Sequence, residues 1–227
     1  MPATAKDDKI APRRLDLAAI ERSLRAVKRN FQDINRQLTT PRDPLSEQVL
    51  QHMMRGYTQV DALLAEQADP FALGNSRALL ELNFLVLCGE DAQLRAECAP
   101  ALAATEERFY GKRNGGFESL VEGLKLMAGE SVWRRASAAY IQVLSEPQLF
   151  IEGNHRTGAL IMSWMLAREG KPPFVLSVDN AKAYFDPSSV VKGLRKHSLQ
   201  MVLSRPKLLK GFVALLKDGA QKAHQLR

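Results

Sequence analysis

Apolar residues near the start of the chain recur at alternating steps of three and four: Leu17, Ile20, Leu24, Val27, Phe31, Ile34 and Leu38. That spacing is one stripe of an amphipathic α-helix. Asp16 is placed to cap its start and Pro41 to end it. Three heptads are the shortest run that supports a coiled coil. The stripe therefore has two readings: a seam over residues 15–38 for a partner or a second copy of the chain, or internal packing, the commoner use.

Helical patterning continues beyond the break at Thr39-Thr40-Pro41-Arg42-Asp43-Pro44. It predicts helices over about 45–66, from Ser76 to Leu87, over about 91–108, about 118–127 and 131–144, with Pro and Gly clusters between them. The segment Phe109-Tyr110-Gly111-Lys112-Arg113-Asn114-Gly115-Gly116-Phe117 interrupts the pattern. Aromatic ends around Asn-Gly-Gly predict a short β-hairpin, the one strand element expected. From Thr157 to Glu169 the chain is apolar on nearly every side, which marks a helix buried in the middle of a domain. Gly170 and then Pro172-Pro173 stop it. Shorter helices are expected over 180–185, 188–194 and 206–216. The fold class is all-α.

The 227 residues suffice for one sizeable domain with a core of its own. Nearly half are apolar and a quarter charged, a globular profile. Cys88 and Cys98 are the only cysteines and form no C-x-x-C pair, which excludes a disulfide framework and points to a reducing, cytoplasmic setting. The apolar run from Ala159 to Ala167 is too short to span a bilayer. Met1 to Arg14 lacks the apolar stretch of a secretory signal and reads as a disordered tail. Net charge is +7, and from Lys192 to Arg227 there are nine Lys/Arg against the single acid Asp218. A basic terminus attracts nucleic acid or acidic protein faces. No nucleic-acid motif accompanies it, so a solvated helix face is the simpler reading.

Candidate chemistry lies just before the buried helix, in Gln148-Leu149-Phe150-Ile151-Glu152-Gly153-Asn154-His155-Arg156-Thr157-Gly158-Ala159. A helix N-terminus offers free backbone N–H groups and the positive end of the dipole, an anion site. Gly153 permits close approach, Asn154 can cap or accept, and Arg156 brings a guanidinium. Glu152 beside an anion is a natural Mg²⁺ ligand. A capped helix whose Arg156 forms a salt bridge would have the same composition.

This stretch resembles the core motif of the Fic (Fido) family, H-x-F-x-(D/E)-G-N-G-R-x-x-R. Phe150, Glu152, Gly153, Asn154 and Arg156 match. The resemblance extends over roughly residues 75–200, including the buried helix with its Gly-Lys-Pro-Pro exit and the hairpin at 109–117, where the family has a target-positioning flap. It implies a Fic-like helical bundle with one hairpin flap. The implied divisions are a tail at 1–14, an N-terminal helical extension at 15–74, the Fic-like domain at 75–203 and a basic C-terminal helix at 204–227. It also implies ATP and Mg²⁺ as cofactors, with Glu152 on the metal and Gly153, Asn154, His155 and Arg156 around the phosphates. AMP transfer to a protein hydroxyl, AMPylation, is the family's usual outcome.

Three departures fall on functional positions. Gln148 stands where the family has its catalytic histidine and cannot act as a general base. His155 replaces a glycine and crowds the cradle, although it is also a candidate for a displaced base or a phosphate donor. Ala159 removes a second phosphate clamp. The family's inhibitory (S/T)-x-x-x-E-(G/N) helix is missing, since no Ser or Thr precedes a Glu by four residues. Glu81 is its nearest approximation, and a surface salt bridge explains it more simply. The expectation is a degenerate Fic protein, a pseudoenzyme that binds nucleotide or a protein partner. A working transferase with a non-standard base is the alternative, and a nucleic-acid-associated protein ranks last. His52, His197 and His224 show no partner spacing and are expected at the surface.

Overall fold

The computed structural model describes residues 14–111 and 115–226. Eleven α-helices carry the fold among them: α1 (Leu17–Arg29), α2 (Phe31–Gln37), α3 (Glu47–Ala65), α4 (Arg77–Cys88), α5 (Ala92–Glu97), α6 (Ala99–Tyr110), α7 (Phe117–Lys125), α8 (Val132–Leu144), α9 (Asn154–Arg168), α10 (Ala181–Lys192) and α11 (Leu199–Leu216). A short 3-10 helix, Gly219–His224, follows. The described residues contain no sheet, only two isolated β-bridges.

The centre is α9. Every residue from Thr157 to Ala167 is buried, as the all-round apolar pattern predicts, and α3, α4 and α8 pack around it. Its end is built as expected: Gly170 takes a φ of 73°, and the Lys171 N–H reaches back to Leu166 C=O at 2.9 Å. Gly158 sets how closely α8 approaches, since a Cβ there would lie 2.7 Å from the Tyr140 ring.

The seam near the start is used internally. Ile20, Leu24, Val27, Phe31, Ile34 and Leu38 are all buried. The stripe is split at Asn30 into α1 and α2, and the second half packs in a small cluster with Ala181. The apolar stripe is thus covered within the chain, the internal packing of the two readings. One core cluster runs from Leu15 to Leu216 and takes in Leu15, Ile20, Leu24 and the buried residues of α3.

Residues 1–13, most of the expected tail, lie outside the described residues. Arg14 is anchored by its guanidinium to buried Asp61, Nη2 to Oδ2 at 2.5 Å, and Leu15 pairs with Gln225 as a β-bridge. Residues 112–114 of the expected hairpin also lie outside the described residues. Its aromatic ends are helical: Phe109 and Tyr110 finish α6, and Phe117 opens α7. Phe109 stacks on Phe117 at 5.1 Å and on Phe150 at 5.6 Å. Burial of Phe109 against Phe117 and Phe150 explains two of the aromatic residues that the pattern assigns to strands, while Tyr110 is exposed.

Two prolines fail to break helices. The stretch read as helices over 180–185 and 188–194 is the single α10, with Pro187 inside. The last helix starts at Leu199, capped by Ser198, and carries Pro206 within it. Pro removes one helix hydrogen bond, and buried residues on either side outweigh that loss: Tyr184, Ser188 and Val191 in α10, and Met201, Leu208 and Leu209 in α11. The region expected as one helix over 91–108 divides at Cys98, with Pro100 in the first turn of α6. No helix among the described residues is long and apolar enough to cross a membrane.

Candidate functional site

Residues 145–153 join α8 to α9 and hold the motif loop. Its entry is pinned by the chain after α10: the Glu146 N–H donates to Leu194 C=O at 2.8 Å and the Lys196 N–H to Glu146 C=O at 2.7 Å. Two side-chain cations hold successive carbonyls. Lys196 Nζ donates to Pro147 C=O at 2.5 Å and Arg108 Nη1 to Gln148 C=O at 3.2 Å. Burial and the Arg108 guanidinium push the Lys196 ammonium down to about 8. Phe150 is fully buried and anchors the loop, as its place in the motif implies.

Gly153 closes the loop in the left-handed region, φ 73°. A Cβ there would meet Asn83 Nδ2 at 3.0 Å, so glycine is required by backbone shape and by packing. Asn83, buried in α4, donates to Glu152 C=O and to Thr157 Oγ1, both at 2.9 Å. A lone amide inside the apolar run Leu79–Cys88 is the sequence signal that would have found it.

The motif side chains divide into those turned inward and those left free. Asn154 is buried and spends its amide on the loop: it accepts from the Phe150 N–H and donates to Phe150 C=O and Gln148 Oε1. Both N–H donors are used, so it locks the loop rather than offering a donor to an anion. Gln148 is held at both ends of its amide, since its Nε2 also donates to Leu144 C=O at 3.2 Å. Glu152 is exposed and makes no ion pair among the described residues. Arg156 donates through Nη1 to Val86 C=O. Burial pushes its pKa down, against the opposing pull of the Glu152 carboxylate.

His155 turns into the protein. Its Nδ1 lies 3.2 Å from Tyr140 Oη, and its ring meets Tyr140 and Tyr184 edge to face. Tyr184 Oη donates to the His155 C=O at 2.8 Å. Burial, with Arg42, Lys192 and Arg156 adding to it, pushes the imidazole down to about 3. Its surroundings therefore favour the neutral imidazole near pH 7. Ala159 is buried beside it.

As a metal site the stretch 148–159 offers one carboxylate, Glu152, and no three His, Cys, Asp or Glu side chains converge among the described residues. Such a group fits Mg²⁺ only when phosphate and water supply the other oxygens. Glu81 pairs with Arg95 at 2.5 Å, the plain salt bridge expected of it. His197 is exposed, but His224 is buried and His52 half-buried against Gly89, which corrects their surface placement. Cys88 and Cys98 are free thiols lying beside each other, and burial pushes Cys88 up to about 12. The residues that the sequence reading missed, Arg42, Arg108 and Lys196, reach the loop or α9 from distant segments. No protein-family model, curated protein or solved structure matches the chain.

Proposed function

We propose that the chain is a degenerate Fic-like protein, which binds a nucleotide or a protein partner at the head of α9 without efficient AMP transfer. The observation that carries this reading is Gln148. The position that the resemblance assigns to the base holds an amide with no titrating group, tied at both ends to Leu144 and Asn154. A general base contributes about 10²–10⁴ in rate, and none stands there. Ligand groups remain nearby: the exposed Glu152, the free N–H groups of the first turn of α9 and the Arg156 guanidinium. With a bound nucleotide, Glu152 would hold Mg²⁺ together with the phosphates, and Arg156 would contact a phosphate. Ala159 supplies no second clamp.

Calorimetry with ATP and Mg²⁺, alongside labelling with radioactive nucleotide, tests this. The expected result is weak binding, reduced in Glu152→Ala and Arg156→Ala, with no labelled protein. The pair Gln148→His with His155→Gly is expected to gain labelling. Wild-type labelling that Glu152→Ala abolishes would overturn the pseudoenzyme reading.

A second reading, a working transferase with a non-standard base, is favoured by Lys196. Its ammonium sits beside the loop, hydrogen-bonded to Pro147 C=O, and burial lowers its pKa to about 8, which eases the loss of a proton. Wild-type labelling lost in Lys196→Gln, with nucleotide affinity unchanged, would establish it.

A further inference from the structure

Behind His155 lies a cavity of about 320 Å³ that the motif does not use. Leu24, Phe31, Met53 and Tyr57 from the first three helices line it together with Phe174, Tyr184 and Phe185. Its polar groups are Arg42, His155 and Arg156, and its one acid, Asp43, is exposed. Arg42 Nη2 donates to Ser189 Oγ at 2.6 Å, and its guanidinium lies over the Phe185 ring.

Two buried atoms lining residues of this cavity have no hydrogen-bond partner among the described residues: Arg42 Nε and His155 Nε2. Buried polar groups are rarely left unpaired, so each asks for a partner. The chemistry of those partners follows from proton order. Ser188 Oγ donates to Tyr184 C=O at 2.5 Å, so in the 2.8 Å contact with Tyr140 Oη it accepts. Tyr140 then has no proton left for His155 and accepts from the Nδ1–H. A neutral imidazole protonated at Nδ1 presents a bare acceptor at Nε2. Arg42, which lines the same cavity, carries its unpaired donor at Nε, and Arg42, Lys192 and Arg156 make the field at His155 cationic.

We propose that this cavity binds a small hydroxyaryl carboxylate. The carboxylate pairs with Arg42 and Arg156, a geometry that guanidinium forks favour. The hydroxyl donates to His155 Nε2, and the ring lies among Phe31, Met53, Tyr57 and Phe174. The volume sits at the small end of ligand pockets, about 300–1,000 Å³, and suits a single substituted ring. This inference shares Arg156 with the nucleotide reading and uses neither Glu152 nor Gln148.

Calorimetry and thermal shift on the full chain test it, with 3- and 4-hydroxybenzoate, benzoate, 4-hydroxybenzamide, inorganic phosphate and AMP as probes. At least one hydroxybenzoate is expected to bind, about tenfold tighter than benzoate, because benzoate leaves Nε2 unpaired. The neutral amide and phosphate are expected not to bind. Arg42→Gln should weaken the hydroxybenzoate at least tenfold, and the cavity-filling Ala159→Met should remove binding while the protein stays folded. If Arg42→Gln does not fold, Ala159→Met decides. No hydroxybenzoate binding, equal affinity for the amide, or binding retained in Ala159→Met would each overturn the proposal. Binding of AMP alone would also overturn it, and would leave the nucleotide reading standing.

Discussion

Asn154 closes a ring on Phe150, accepting from its backbone N–H at 2.9 Å and donating to its C=O at 2.8 Å. One side chain thus satisfies both peptide groups of the residue that anchors the motif loop. The pair is buried, so neither group can turn to water instead. Replacing Asn154 with Ala leaves both unpaired, at about 1–3 kcal/mol for each buried group. Chemical denaturation should show a loss in that range or larger. Asn154→Asp should be nearly as harmful, since a carboxylate would face the Phe150 carbonyl. A loss below about 0.5 kcal/mol in both variants, the range of ordinary surface changes, would show that the asparagine is available for a ligand.

Gly153 has two reasons to be glycine, and they can be separated. Its φ of 73° disfavours any Cβ, and the site of that Cβ is 3.0 Å from Asn83 Nδ2. The left-handed penalty is about 1–2 kcal/mol for most residues, and Asn escapes much of it. Gly153→Ala is expected to destabilise by at least that amount. Gly153→Asn should recover little, because the collision with Asn83 and with Leu87 and Val86 remains. Thermal melts that place Gly153→Asn at wild-type stability would show that backbone shape alone sets the residue.

The buried histidines make stability depend on pH in a definite direction. His155 is pushed down to about 3, and burial also lowers His52 and His224. His155 stays neutral in the folded state while the unfolded chain takes up a proton near pH 6.5, and His52 and His224 hold their protons less readily folded than unfolded. The stabilisation is therefore complete above pH 6.5 and is lost as pH falls towards each folded value. The slope is about 1.4 kcal/mol per pH unit for each histidine that stays neutral. Urea midpoints between pH 7 and 5, above the carboxylate range, should fall in the wild type and fall less steeply in His155→Gln. Parallel curves for the two proteins would mean that His155 protonates freely in the fold.

Much of this architecture was legible in the chain because it rests on local pattern. The apolar run through Leu160 to Leu166 marks a central helix, and Gly170 marks its end. Where reading failed, a long-range contact overrode a local sign. Phe109 and Phe117 flank a turn that looks like a hairpin, yet both rings are drawn into a stack with Phe150. Pro187 and Pro206 look like breaks, yet buried faces carry the helices through. At the site, Gln148, His155 and Ala159 could be seen at once as departures from the motif that the stretch resembles. The inward turn of His155 could not, because it depends on Tyr140, Tyr184 and Arg42, which share no period with the motif. The same limit hid Lys196 and Arg108, whose contacts are to backbone carbonyls and leave no mark in residue type.

The N-terminal layer offers the sharpest test of the packing. Leu15, Ile20, Leu24, Met53, Tyr57 and Leu160 belong to one cluster, so the layer cannot be lifted away without exposing the face of α3 that leads to α9. Burial of side chains such as Ile20, Leu24 and Val27 contributes about 1.5–3 kcal/mol each. Asp61 is buried against Arg14 and the Leu15 N–H, contacts that the truncation also removes. Together these reach the whole stability of an ordinary domain, about 5–15 kcal/mol. A chain lacking residues 1–40 should therefore lose its cooperative thermal transition. Asp61→Ala in the full chain should spare the transition but lower its midpoint, since it removes the carboxylate that Leu15 N–H and Arg14 share. A truncated protein that still melts cooperatively, within a few degrees of the full chain, would show instead that residues 15–40 are a detachable extension.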